Sequence, residues 1–218
     1  MFQQLLYKEF KLELRRKSVF SGLALYLFST TFIYYISFNL HQNLITPFIW
    51  SSLFWVTLLF TSVNTVAKSF IGEKKGEQMY YYSIASPISI ILSKITYNFL
   101  LCLLLGFTGF FLFTIFFGSP VQDLPIFALT TLLTCLGFAS SLTLLSAIAS
   151  KSNNSNILMA VLSFPIIIGI LLVGIKLTKN CIDGLDRSVS LDELLTLLAI
   201  NMVVVAVSYL LFPYIWRS

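Results

Sequence analysis

Six long runs of apolar residues follow one another along the chain, separated by short polar connections. Each run has about the 20 residues that a helix needs to cross a bilayer. A membrane β-strand would be about half as long and would alternate between apolar and polar positions, whereas these runs are continuously apolar. The pattern therefore predicts six transmembrane helices, at residues 18–40, 47–67, 88–117, 126–149, 157–177 and 194–215.

The prolines agree with these helix boundaries. Proline fits the first turn of a helix, where its missing N–H would have no intrahelical partner. Pro165 lies inside the fifth predicted helix, where we expect it to kink the helix and free one backbone carbonyl. Four other prolines lie at the starts or flanks of predicted helices, and these are Pro47, Pro87, Pro120 and Pro125.

The composition excludes an ordinary soluble protein. Of the 218 residues, 57% are hydrophobic and only 11% charged, and the mean hydropathy is +0.89. This leaves too little polar surface to cover a soluble globule. Six helices also leave no room for a soluble domain of typical size, so a nucleotide-hydrolysing module would belong to another polypeptide. We predict an all-α, polytopic membrane protein whose residues 1–218 form one transmembrane domain.

The basic residues lie mostly on one side of the predicted helices. Eleven of the 14 Lys and Arg residues precede the first helix, surround the second connection, or lie in the fourth connection and at the C-terminus. The other side has only Lys176, Lys179 and Arg187. The excess of basic residues in cytoplasmic loops predicts that both termini are cytoplasmic. The net charge of +5 then reflects topology and contact with anionic lipid in the bilayer, and we expect no nucleic-acid partner.

Residues 1–17 form a cytoplasmic amphipathic segment. Apolar residues such as Leu6 and Phe10 alternate with charged residues such as Lys8 and Glu9 at roughly helical spacing. One interpretation is an N-terminal interfacial elbow helix that braces the first transmembrane helices. The other is a plain basic flank that only sets the orientation.

The second connection, within residues 68–87, is the most informative polar segment. Its charged residues are followed by three consecutive tyrosines, Tyr80 to Tyr82. Tyrosine is favoured both at membrane interfaces and in protein–protein contacts, because an apolar ring ends in a hydroxyl. The segment is therefore either an interfacial aromatic belt or a short docking helix for a cytoplasmic partner.

No catalytic or metal-binding pattern is present in the sequence. Cys102, Cys135 and Cys181 form no CxxC motif, and His41 is the only histidine. A lone histidine in a polar loop is usually solvated, with heme or metal ligation as the alternative. Every Asp and Glu lies in the flanks or connections, so we expect no catalytic residue and no membrane enzyme.

The fourth predicted helix carries a stripe of small residues. Such a stripe allows two helices to approach closely. It is interpreted either as intrachain helix packing or as the seam of a dimer, and its members are Gly137, Ala139, Ser141, Thr143 and Ala147.

Four polar residues inside the helices require partners or water. Three of them are asparagines that either line a path through the membrane or, as we favour, form hydrogen bonds between helices, and these are Asn64, Asn98 and Asn201. Lys94 lies about two turns into the third helix, from where we expect its long side chain to extend to the cytoplasmic face.

The chain resembles the permease subunits of ABC exporters, and among them the CcmB family, heme exporter protein B of cytochrome c maturation. The resemblance covers essentially the full chain. It rests on the basic opening at residues 8–17, the acidic-basic-Gly stretch at 72–77, Ser86-Pro87 leading to Ser93-Lys94, and the small-residue stretch from 137 to 149.

The resemblance implies an ABC-2-like permease fold and a coupling helix that rests in a groove of an ATPase subunit. That CcmA-like subunit would carry the Walker motif, since no GxxxxGK[ST] occurs in this chain. The residues implied to form the ATPase contact are Gly72, Glu73, Lys74, Lys75, Gly76, Glu77, Tyr80, Tyr81, Tyr82, Ser86 and Pro87.

The implied function is coupling of ATP hydrolysis to heme export or to release of a heme-loaded chaperone. The resemblance also implies a homodimer in the bacterial inner membrane and a CcmC-like, heme-handling membrane partner. No cofactor would be bound directly, ATP would bind the partner, and heme is a possible substrate. The alternative is an ABC-2-type permease that exports a polysaccharide, lipid or drug.

Overall fold

A computed structural model describes residues 2–15, 17–39, 45–71, 85–152 and 154–217. Apart from one short 3-10 helix, every regular element in these ranges is an α-helix. The helices are α1 (Phe2–Arg15), α2 (Lys17–Asn39), α3 (Pro47–Val66), α4 (Lys68–Ile71), α5 (Pro87–Phe117), α6 (Leu124–Ala149), α7 (Ser155–Ile182), the 3-10 helix Arg187–Ser190, and α8 (Leu191–Arg217).

Within the described ranges, six stretches are long and apolar enough to cross a membrane, which confirms the prediction of an all-α, multi-pass membrane protein. Most of their ends lie close to the predicted ones. The stretches are Ser21–Phe38, Pro47–Ile71, Pro87–Phe117, Leu124–Ala149, Ile157–Ile182 and Arg187–Trp216.

The fifth membrane helix is longer than its apolar run. The run ends at residue 177, but α7 continues to Ile182 because its polar residues find buried partners. Thr178 accepts a hydrogen bond from Trp55 Nε1 at 2.8 Å, and Asn180 donates one to Ser190 at 3.2 Å. Cys181, expected in the connection, is instead buried in the last helical turn.

Local sequence explains where the membrane helices begin. Thr46 and Ser86 precede Pro47 and Pro87, and each hydroxyl accepts a hydrogen bond from the backbone N–H three residues later. This N-cap followed by proline satisfies one free N–H and fixes the first turn. By contrast, Pro165 lies within α7, which is helical on both sides of it.

Helix α6 forms the centre of the bundle. It packs against α3, α4, α5, α7 and α8, and 18 of its 26 residues are buried. Only three residues are buried in the stretch Ser21–Phe38 of α2, which lies at the edge against α5. Lipid is therefore the main neighbour of α2, whereas protein surrounds α6.

The two ends of the bundle differ in charge. We call the end that carries α4, the start of α5 and the end of α8 the basic end. Here α1 packs along α5, with the rings of Phe10 and Tyr97 5.1 Å apart. The predicted N-terminal helix is thus present and rests on protein. At the opposite end, the connections 118–123 and 183–190 meet through an Arg187–Asp123 ion pair of 2.8 Å.

Candidate functional site

Most residues predicted to contact an ATPase lie outside the described residues. These are Gly72, Glu73, Lys74, Lys75, Gly76, Glu77, Tyr80, Tyr81 and Tyr82, and His41 also lies outside. Ser86 and Pro87 are described, and they form the N-cap and first residue of α5. The structure therefore shows how the two ends of the predicted coupling segment are attached to the bundle.

The end that leads into the segment is α4, which is held by the central helix. Ser146 of α6 donates a hydrogen bond to the carbonyl of Ala67 at 2.6 Å and accepts one from the N–H of Phe70 at 3.1 Å. The Phe70 ring is buried against Phe212 and Trp216 of α8. One hydroxyl thus connects two backbone groups of this short segment to α6.

Lys94 of α5 contacts the same segment from the other side. Its Nζ donates a hydrogen bond to the carbonyl of Ser69 at 2.9 Å and lies 4.9 Å from the centre of the Phe70 ring. A second partner is Glu9 of α1, with Nζ to Oε1 at 3.3 Å. Lys94 is only 3% exposed. Its side chain thus extends to the basic end of the bundle, where it ends on buried partners that satisfy its charge and not at the surface.

Glu9 balances two cations. Its carboxylate lies 2.9 Å from Lys8 as well as 3.3 Å from Lys94. Burial opposes ionisation, but the two lysines outweigh it, so the pKa of Glu9 lies below its ordinary value. Glu9 is therefore a carboxylate at neutral pH and brings α1 into the same ionic contact.

Asn98, one turn after Lys94, extends this polar contact to α6. Its amide donates to Ser69 Oγ at 3.1 Å and to Thr143 Oγ1 at 2.8 Å. The residues joined in this way are called the basic-end cluster, and they are Glu9, Ser69, Phe70, Lys94, Asn98, Thr143 and Ser146. The cluster connects α1, α4, α5 and α6 just before the predicted coupling segment.

Apolar side chains surround the cluster. Ile91, Ile95 and Phe212 are buried beside it, so its hydrogen bonds and ion pair are shielded from water. Polar interactions are stronger in such surroundings, and an unpaired member is more costly. The cluster therefore favours one relative position of the four helices.

The small residues of α6 all point into the bundle of a single chain. Gly137, Ala139, Ser141, Thr143 and Ala147 are buried. A Cβ added at Gly137 would lie 3.0 Å from Asn201 Oδ1 and 3.1 Å from Ile170 Cδ1. Their contacts in this arrangement are those of intrachain packing, the first of the two interpretations.

The intramembrane asparagines differ from one another. Asn98 bonds across helices, as described, and Asn201 of α8 donates to the carbonyl of Leu133 in α6 at 2.9 Å. Both agree with the expectation of interhelical hydrogen bonds. Asn64 is exposed on α3.

One feature of the sequence points to the cluster. A lysine within an apolar helix needs a partner, and Glu9 on the amphipathic segment was a nearby carboxylate candidate. Ser69 and Ser146 gave no such signal, since serine is frequent throughout the chain. Within the described ranges, no three His, Cys, Asp or Glu side chains come together as metal ligands.

Comparison with known proteins identifies a family. A family model described as CcmB protein matches residues 1–214. No curated protein and no solved structure matches the chain.

Proposed function

Because the chain belongs to the CcmB family, we propose that it couples ATP hydrolysis by a partner subunit to a step in cytochrome c maturation. The family comprises membrane permease subunits of ABC transporters in heme transport and cytochrome c biogenesis. The six membrane helices agree with this class of protein. The residues that transmit the effect of ATP, and the partners, are the subject of the proposal.

Residues 72–86 are proposed to be the coupling segment. They follow α4 directly and end at the N-cap of α5. An ATPase that moves this segment would pull on α4 and on the start of α5 together. The single observation that carries the proposal is that the basic-end cluster fastens α4 to α5 and α6.

The same contacts supply a physical path for transmission. Helix α5 has 31 residues and α6 has 26, or about 46 Å and 39 Å at 1.5 Å per residue. Both exceed the roughly 30 Å hydrocarbon core. Long helices that are fixed at one end move as rigid bodies, so a displacement at the basic end reaches the opposite end. Lys94 also carries the displacement to α1 through Glu9.

The proposed assembly contains two copies of this chain, two CcmA-like ATPases and a CcmC-like, heme-handling membrane protein. It lies in the bacterial inner membrane with both termini on the side of the ATPase. ATP hydrolysis then drives either heme export or release of a heme-loaded chaperone.

The first experiment separates ATPase binding from transmission. The full chain is co-expressed with a CcmA-like ATPase and purified in mild detergent, and both co-purification and ATP hydrolysis are measured. Glu73→Lys with Glu77→Lys, or Tyr80, Tyr81 and Tyr82→Ala, should lose the ATPase while the chain still inserts. Ser146→Ala should keep the ATPase but weaken the dependence of its hydrolysis rate on the permease, because the backbone of Ala67 and Phe70 loses two hydrogen bonds to α6.

Ser150→Ala is the matched control for Ser146→Ala, because the Ser150 hydroxyl bonds only within its own helix region, to Ala147. Full co-purification with both coupling-segment variants would contradict the assignment of residues 72–86. Recovery of the ATPase with a heme-handling protein supports the cytochrome pathway. Recovery of the ATPase without any heme-handling protein would favour the export of a polysaccharide, lipid or drug.

A further inference from the structure

A groove lies between α7 and α8 at the opposite end of the bundle, away from the basic-end cluster. It is formed by the last turns of α7 and the first turns of α8. Its volume of about 300 Å³ is at the lower end of the range of small-molecule sites in proteins. The residues that line it are Leu172, Val173, Lys176, Asp192, Glu193 and Thr196.

The groove is open on the side of the bundle. Leu172 in its wall is more than half exposed, as is Leu195 on the adjoining surface of α8. The side chain of Lys176 is 63% exposed. In a bundle of membrane-spanning helices, lipid lies against such a side surface, so the groove opens to the bilayer.

The depth of the groove places it where headgroups meet hydrocarbon. Helix α7 has 28 residues, or about 42 Å at 1.5 Å per residue, and exceeds the roughly 30 Å hydrocarbon core by about 6 Å at each end. Lys176 lies six residues, or about 9 Å, before the end of α7 at Ile182. Its long side chain can therefore place the ammonium among the headgroups.

The charged and apolar parts of the groove lie at different depths. Asp192 and Glu193 are in the first turn of α8, and Lys176 of α7 pairs with Glu193. Leu172 and Val173 are about one turn deeper along α7 than Lys176. The order from the headgroup region inward is thus charged and then apolar, as in a phospholipid of the adjoining leaflet.

The charges narrow the class of headgroup. The groove has one cation and two carboxylates, and Asp192 forms no ion pair with any described residue. Thr196 donates its hydroxyl proton to the carbonyl of Asp192 at 2.7 Å, so its oxygen can still accept a hydrogen bond. An anionic amphiphile would be repelled by the net charge of −1, whereas a group with N–H donors and a positive charge would be attracted.

Lys176 can bind a further anion beside Glu193. Its ammonium has three N–H donors and is mostly exposed, so the ion pair with Glu193 leaves donors available. A phosphate oxygen is such an acceptor. The groove therefore offers a donor for a phosphate and acceptors for an ammonium.

We propose that this groove binds a glycerophospholipid whose headgroup carries a phosphate and a primary ammonium. The phosphate contacts Lys176, and the ammonium donates hydrogen bonds to the Asp192 carboxylate and the Thr196 hydroxyl. One acyl chain follows Leu172 and Val173 toward the middle of the bilayer. This inference rests on the membrane location of the chain and is independent of the ATPase coupling proposed above.

The test uses phosphatidylethanolamine with a photoreactive diazirine in its acyl chain. The full chain in detergent is cross-linked with this probe in competition with unlabelled phosphatidylethanolamine, phosphatidylcholine or phosphatidylglycerol of the same chain length. The choline ammonium has no N–H, and the glycerol headgroup has no positive charge. Phosphatidylethanolamine should compete about three- to tenfold better than either, the size expected for one hydrogen bond. Cross-links should map to α7 at and before Val173.

Two acidic positions provide a variant and its matched control. Asp192→Asn should retain cross-linking but abolish the preference for phosphatidylethanolamine over phosphatidylcholine, because the carboxylate that attracts the ammonium is lost. Asp186→Asn should keep the preference. Asp186 is likewise exposed and forms no ion pair with a described residue, but it lies outside the groove.

The ion pair is tested separately. Lys176→Met combined with Glu193→Gln removes both charges of the pair and leaves Asp192 in place. This double variant should be cross-linked less, because the phosphate contact is lost, while the remaining cross-linking keeps its preference for phosphatidylethanolamine. A preference lost here but kept in Asp192→Asn would overturn the assignment of the ammonium to Asp192.

The comparison of the three lipids in the wild-type chain needs no variant to fold. Equal competition by all three would overturn the proposal, and so would stronger competition by phosphatidylglycerol, which would assign the groove to an anionic lipid. Cross-links that avoid α7 and α8 would overturn it as well, as expected if a second copy of the chain covers the groove. Displacement of the probe by heme but not by phosphatidylethanolamine would assign the groove to a different amphiphile and also overturn it.

Discussion

Replacing Glu9 by Gln should destabilise the protein more than replacing Lys94 by Met, although both changes remove the same ion pair. The reason is the difference in burial of the two side chains, which are 15% and 4% exposed. Glu9→Gln takes the neutralising charge from a cation that stays buried. Lys94→Met removes the buried charge itself and leaves Glu9 beside Lys8 at 2.9 Å.

The magnitude follows from the geometry. Two charges 3.3 Å apart attract by about 5 kcal/mol at an effective dielectric constant of about 20. Desolvation offsets much of this attraction, so the net contribution of the pair is small. Removing one partner of a buried pair nevertheless costs about 3 kcal/mol or more, which we expect for Glu9→Gln. Methionine fills a similar volume beside Phe70, so Lys94→Met should cost about 1 kcal/mol.

Thermal unfolding in detergent measures this difference. For a chain of this size, 1 kcal/mol shifts the midpoint by about 2–4 °C, so Glu9→Gln should lower it by about 6–12 °C and Lys94→Met by about 2–4 °C. The double variant should resemble Lys94→Met, because no buried cation remains. The Lys176–Glu193 pair at the opposite end is the control, since Lys176 is 63% exposed and its loss should cost less than about 1 kcal/mol.

Two results would refute this reasoning. Equal midpoints for Glu9→Gln and Lys94→Met would mean that the burial of Lys94 does not set the cost. If Glu9→Gln lowers the melting midpoint no more than Lys176→Met does, the Glu9–Lys94 ion pair contributes no more to stability than a surface ion pair.

Two further predictions concern pH and packing. Lys94 and Lys8 hold the pKa of Glu9 below its ordinary value. The contribution of Glu9 to stability is therefore fully present above a pH of about 4.3, the ordinary pKa of glutamate. This contribution is lost as the pH falls through the lower pKa that Glu9 has in the folded state. The melting midpoint should therefore fall more steeply with pH below about pH 4.3 in the wild type than in Lys94→Met. An equal fall in both proteins would contradict the lowered pKa of Glu9. Gly137→Ala should cost about 1–3 kcal/mol, because the new Cβ would lie 3.0 Å from Asn201 Oδ1. At Gly169, no described side chain and no backbone outside its own helix lies within 4 Å of a new Cβ, so Gly169→Ala should have no destabilising effect in the same melting assay.

Hydropathy predicted the membrane helices well, because lipid imposes the same length and apolarity on each of them. It failed at the end of α7, where Thr178 and Asn180 are polar but buried. Their partners, Trp55 and Ser190, are supplied by other elements. A property of single residues cannot report such contacts.

The candidate site was predicted only in its location along the chain. The sequence pointed to the second connection, and the structure describes how that connection is fastened at α4 and α5. The contact between Glu9 and Lys94 joins residues 85 positions apart in the sequence, and that of Ser146 with Phe70 joins residues 76 apart. The lipid-facing groove likewise combines residues of α7 and α8. Contacts between residues so far apart along the chain leave no periodic pattern in the sequence.

The central position of α6 has a consequence for biogenesis. Chains are made and inserted from the N-terminus, so α6 enters the membrane before α7 and α8, two of the helices that cover it. Until α8 is synthesised, the carbonyl of Leu133 lacks the Asn201 amide that bonds to it in the finished bundle. The hydroxyls of Thr143 and Ser146 find partners sooner, because α4 and α5 precede α6 along the chain. Assembly of this bundle therefore requires α8, and a nascent chain that stops before α8 leaves the surface of α6 that α8 covers exposed to hydrocarbon.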